Sequence, residues 1–254
     1  RWEKFCDANH LPVEFAVVDR IAPNLNSDAS FESWISHSTH FITCSISEGF
    51  GLVFLESIAY GKPLIGRKIE HISNDLAKHG IEYDGLYEKI LIPADWVPHA
   101  ILEKHVKKSF TRLWQSWNRE AGAGECESVM ASMDHDGFLD FGNLPEALQE
   151  TIIEKLLDPD HHAIPQLLIN GRTRSLKAWI EDSLTQNQQT QAPQVPEAFT
   201  IAAHGEQTIA IHAMVMMTQN LSPPAALDPN EIFETFLVAE EFHFLKSPPD
   251  PNIE

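Results

Sequence analysis

Cysteine is scarce in this chain. Cys6, Cys44 and Cys126 are its only three, widely spaced and without a C-x-x-C pair. That usage excludes a disulfide scaffold and a zinc ribbon, and it fits a reducing compartment. Basic residues are also few: 18 against 37 acidic ones, for a formal charge of −19. A surface this acidic repels phosphate backbones and anionic lipid, which argues against nucleic acid as a partner. No apolar run approaches the roughly 18 residues of a membrane helix. The longest, "IAIHAMVMM" (Ile209–Met217), is expected to be a core helix. No signal peptide is present, but the sequence opens on Arg1 rather than methionine, so that absence excludes little. A cytoplasmic location is the expectation.

What is present is enough apolar material for a sizeable core: 43% of 254 residues. The first 95 residues read as alternating strands and helices. "VEFAVVD" (Val13–Asp19) is a valine-rich run bounded by prolines and reads as a buried strand. "SFESWISHS" reads as a short helix with Ser30 as N-cap, and "HFITCSI" (His40–Ile46) as a second strand. A helix from about Gly51 to Tyr60 is stopped by Gly61 and Pro63, and "PLIG" starts a third strand. Strand, loop, helix, strand is a βαβ unit, so an α/β fold with a Rossmann-like parallel sheet is expected.

Residues 96–184 read as a mainly helical region packing on that sheet. It opens with "HAILEKHVKKSFTRLWQSWNRE" (His99–Glu120), the most basic stretch of the chain, read as a solvated helix face, with an anion-binding surface as the alternative. "EAGAGECES" reads as a flexible connection, and Leu144–Pro159 and Ile164–Leu184 as further helices, the second interrupted near Asn170 and Gly171. Residues 185–196, "TQNQQTQAPQVP", are polar, aperiodic and end in prolines, as a linker does. Residues 197–254 then hold two more expected helices, Glu197–Asn220 and Asn230–Lys246.

The informative segment is "CSISEGFGLVFLESIAYGKPLIG" (Cys44–Gly66). The helix after Gly51 is apolar nearly all round, so it is expected to be buried, with Glu56 as a carboxylate that needs hydrogen-bond donors. Gly49 and Gly51 let the backbone approach a ligand, and the first free N–H groups, near Leu52 and Val53, make an anion site suited to a diphosphate. Glu48 lies in the same loop, and mainly helical rise puts it about 10 Å from Glu56. Hydroxyls at both ends with phosphates between them describe a nucleotide-sugar.

This segment resembles the E-x7-E motif of retaining glycosyltransferases of the GT-B architecture. The residues that match are Ser45, Glu48, Gly49, Phe50, Gly51, Leu52, Leu55, Glu56, Ala59, Gly61, Pro63, Leu64 and Ile65. The likeness covers about residues 31–66. It implies that Glu48, with the backbone at Gly49 and Phe50, holds hydroxyls of the donor sugar. The amides near Gly51, Leu52 and Val53 would meet the diphosphate, and Glu56 the ribose. Transfer would retain the anomeric configuration, with the leaving phosphate helping to deprotonate the acceptor, and without cofactor or catalytic metal. The family's acceptor domain comes first in the chain and has no counterpart here, so this sequence reads as the donor-binding part. The family's Arg and Lys before the first strand are also missing; Arg67 and Lys68, after the third, are the candidates for phosphate contact.

Other constellations carry less. A dinucleotide fingerprint would need glycine at position 54, where Phe54 stands. "DHDGFLD" (Asp134–Asp140) lacks the acidic spacing of an EF-hand and reads as a turn. His161 and His162 are adjacent in a turn-like context, and His71, His79 and His99 lack ligand spacing. No G-x-S-x-G motif points to a hydrolase. The alternative to an enzyme is a non-catalytic, glycosyltransferase-like scaffold whose helices after Trp96 bind a protein partner.

Overall fold

A computed structural model describes residues 1–17, 27–120, 122, 124–186, 195–217, 228, 230 and 231. Its first elements are α1 (Trp2–Ala8), α2 (Ser27–His37), β1 (Phe41–Thr43), α3 (Leu52–Ala59), β2 (Leu64–Arg67), α4 (Glu70–Ala77) and β3 (Leu86–Tyr87). Then come β4 (Lys89–Pro93), α5 (His99–Ser116), α6 (Glu125–Met133), β5 (Asp134–His135) and β6 (Phe138–Asp140). The last are α7 (Glu146–Leu157), β7 (Gln166–Ile169), β8 (Arg172–Ser175), α8 (Leu176–Gln186) and α9 (Ile201–Met217). The chain divides into two compact units, each made of two separate stretches: Arg1–Ile90 with Glu146–Val195, and Leu91–Pro145 with Pro196–Glu254. The sequence reading divided the chain serially, at 95, 184 and 196.

The first unit contains the expected α/β arrangement. β1, β2 and β3 form a parallel sheet in that order, joined by α3 and α4 as two successive βαβ crossovers. Ile42 pairs with Ile65 and Thr43 with Gly66; Arg67 pairs with Tyr87. All four residues of the central strand are buried, as a strand with neighbours on both edges requires. Gly66 is obligatory here: its φ is +129°, and a Cβ would stand 2.0 Å from the Thr43 carbonyl oxygen. Ile65 and Tyr87 of this sheet form one buried cluster with Leu167 and Trp179, and the Tyr87 and Trp179 rings meet edge to face at 5.4 Å. The unit's two stretches also meet at α1 and α7. Arg1 donates from Nε and Nη2 to the Glu150 carboxylate, each at 2.8 Å, and the Trp2 indole N–H donates to Glu146 at 3.1 Å.

In the second unit, the end of β4 pairs antiparallel with β6, which forms a hairpin with β5. The "DHDG" stretch is that hairpin's turn: Asp136 and Gly137 both take positive φ, and the Asp134 carboxylate accepts the Gly137 N–H at 2.7 Å. α5 buries Leu102, Val106, Phe110, Leu113 and Trp114 along one stripe. Lys104, Lys107 and Lys108 are exposed on it, with Lys107 bonded to Glu103 at 2.6 Å.

Several expectations are corrected. Residues 13–16 are irregular rather than a strand: Ala16 has φ +49°, Val13 is 48% exposed, and the Val13 N–H bonds locally to Leu11. An apolar run becomes a strand only where an edge is free to pair. Val18 and Asp19 lie outside the described residues. Ser30 falls inside α2, which starts at Ser27, so it does not cap the helix. The flexible connection is shorter than expected, since α6 starts at Glu125. The helix expected over Ile164–Leu184 is hairpin β7–β8 followed by α8. Asn170 and Gly171, at φ +49° and +72°, form its two-residue turn, so residues 96–184 hold strands among their helices. The core-helix reading of Ile209–Met217 is also overturned. α9 forms, but Ile209, Met214 and Met217 are 71%, 70% and 83% exposed. Most of the linker and of the last expected helix lies outside the described residues.

Candidate functional site

β1 ends at the buried Thr43, and the chain then runs through Cys44–Gly51 across the carboxyl end of the parallel sheet before α3 begins. Gly51 turns it into the helix with φ +64°. No side chain caps that helix, so the N–H groups of Leu52 and Val53 stand at its mouth; the Phe54 N–H bonds back to the Gly51 carbonyl at 3.0 Å. A Cβ on Gly51 would lie 2.6 Å from Ile72 Cδ1, whereas one on Gly49 would meet nothing within 4 Å. Packing explains Gly51. It gives no reason for Gly49. Phe50, between them, is 88% exposed.

α3 is not buried all round. It turns Phe54, Ser57 and Ile58 inward, and Tyr83 and Ser57 both donate their hydroxyls to the Phe54 carbonyl, at 2.5 and 2.8 Å. Leu52, Glu56 and Tyr60, spaced four apart, form the opposite stripe: 62% exposed, half-buried and 38% exposed. Glu56 is therefore an accessible carboxylate on a helix face, not one enclosed in a core. Glu48 is half-buried as well. Among the described residues neither carboxylate has a hydrogen-bond or ion-pair partner, although the Glu48 carbonyl accepts from His71 Nε2 at 3.2 Å.

No family model, curated protein or solved structure matches this chain.

The other predicted positions lie at the same end of the sheet. Arg67 ends β2, buried to 8% exposure, with Tyr87 opposite it in register and Cys44 just beyond β1. Burial pushes the Cys44 thiol above its ordinary value, although the residue as a whole is exposed; the hydrogen bond to the Tyr87 side chain and the Arg67 charge act against that shift. Lys68 is half-buried, and its N–H bonds to the Tyr87 carbonyl at 2.7 Å. The carboxyl ends of three strands thus gather a guanidinium, a phenol and a thiol beside the glycine loop. Sequence reading missed Cys44, Tyr87 and His71. The first two depend on strand register, and His71 depends on α4 starting directly after β2. Among the described residues, no group of three or more His, Cys, Asp and Glu side chains is arranged to hold a metal.

Proposed function

We propose that the first unit binds the nucleotide-sugar donor of a retaining glycosyl transfer, as part of a Rossmann-like GT-B donor domain. The observation that carries this reading is the pair of half-buried carboxylates, Glu48 in the loop before an uncapped helix N-terminus and Glu56 on the helix itself, both without a side-chain partner among the described residues. Carboxylates in that state are matched by vicinal hydroxyls, and the N–H groups between them by phosphate oxygens.

Glu48 and the amides of Gly49 and Phe50 hold the sugar. Leu52 and Val53 present their N–H groups to the diphosphate, with Arg67 and Lys68 supplying positive charge from the end of β2. Glu56 holds the ribose. The leaving phosphate takes the proton of the acceptor hydroxyl on the same face, so no protein nucleophile is required. The acceptor is bound by another domain or chain.

Titration calorimetry with UDP-, GDP- and ADP-sugars tests the reading. Binding of at least one is expected, with Glu56→Gln weakening the parent nucleotide by about ten-fold, the scale of a lost hydrogen bond to a charged group. Glu48→Gln is expected to leave the nucleotide alone and weaken only the sugar-bearing ligand. Absence of binding across the panel, or identical behaviour of both variants and wild type, overturns it. A non-catalytic scaffold is the second reading, favoured by the exposed apolar face of α9. Donor binding without turnover against any acceptor panel is its expected signature.

A further inference from the structure

The ends of the segment Glu48–Gly51 are held by two consecutive residues of one helix. His71, in the first turn of α4, approaches the Glu48 carbonyl with Nε2 at 3.2 Å. A carbonyl only accepts, so Nε2 carries the proton of this bond. The next residue, Ile72, is buried to 8% exposure, and its Cδ1 and Cγ2 fill the space where a Gly51 Cβ would stand, at 2.6 and 2.9 Å. Between these fixed points Gly49 and Phe50 touch little: the space beside Gly49 is open and Phe50 is largely in solvent. The loop is therefore a two-residue bridge on two anchors, and one anchor is a single exposed hydrogen bond.

We propose that His71 is a positioning residue for the candidate site: its bond to the Glu48 carbonyl fixes the conformation in which the loop amides and the Glu48 carboxylate face a ligand. Its consequence for binding rests on the donor-site reading above; the anchor itself does not. Holding the loop in its binding shape before the ligand arrives removes an ordering cost from association. His71 touches only the loop backbone in this role, so another side chain with an N–H at the same reach can replace it.

The test uses the full chain without ligand. Backbone 15N order parameters of Glu48–Gly51 are compared in wild type, His71→Ala and His71→Gln. Values near the rigid-backbone level of about 0.85 are expected in wild type, falling below about 0.6 at Gly49 and Phe50 in His71→Ala. His71→Gln, whose amide N–H stands in for Nε2, is expected to restore the wild-type values. Order parameters in β1 and β2 and the melting temperature should match wild type in both. Unchanged loop order in His71→Ala, or an equal fall in His71→Gln, overturns the proposal. A second arm measures nucleotide-sugar affinity: His71→Ala is expected to weaken it about five-fold, the scale of one net hydrogen bond, and His71→Gln to leave it unchanged. If wild type binds no nucleotide-sugar while the relaxation result holds, the donor-site reading fails and the anchor stands.

Discussion

At Gly51 a left-handed φ and the Ile72 side chain both exclude a Cβ, whereas Gly49 has ordinary φ and open space around it. Gly51→Ala is expected to lose about 2–4 kcal/mol in urea denaturation: about 1 from the left-handed backbone and about 1–3 from displacing Ile72. Gly49→Ala should stay within about 0.5 kcal/mol of wild type in the same assay. It should nevertheless weaken donor binding, because the space it fills is the ligand's in this reading. Cys44 supplies a pH prediction. Its thiol sits above the ordinary value, so its thiolate fraction, and its alkylation by iodoacetamide followed by peptide mass spectrometry, should lag a free cysteine peptide at pH 8 and recover as pH rises. Tyr87→Phe removes the hydrogen bond that favours the thiolate, so the lag should widen. Glu48, Gly49, Gly51 and Glu56 were legible in sequence because their spacing is local. Cys44, Arg67 and Tyr87 meet only through the register of three strands, which no local spacing encodes.

Among the elements, α3, β2 and their turn at Gly61 were readable because chain punctuation and apolar content agree there. The β7–β8 hairpin was not. Leu167, Leu168 and Ile169 precede Asn170-Gly171, and the following Arg172–Ser175 is polar and exposed, so no apolar alternation marked the second strand. Within a helical pattern Asn170-Gly171 reads as an interruption, but between two strands the same pair is a two-residue turn. Gly171→Ala should cost about 1 kcal/mol in chemical denaturation, because φ +72° disfavours any Cβ although no neighbour obstructs it. A cost near zero would show that the turn does not need the left-handed residue. The Val13 run failed for the opposite reason: its composition suits a strand, yet the Val13 N–H bonds locally to Leu11 and residues 13–16 are irregular.

For the whole molecule, α/β character was legible, while the interleaving of the two units was not, because it depends on contacts between residues more than fifty positions apart. No helix among the described residues is long and apolar enough to cross a membrane. The order of the stretches has a consequence for how the protein breaks. The core of the first unit takes Ile65 and Tyr87 from one stretch and Leu167 and Trp179 from the other, with Arg1 tied to Glu150. A specific protease site introduced at residues 121–124 severs the chain between those stretches without touching that core. The cleaved protein should run as two bands on a denaturing gel and as one particle in native size exclusion, and separated halves should find each other again on mixing. The backbone link is then dispensable for the first unit once it has folded, and its integrity becomes a matter of fragment complementation.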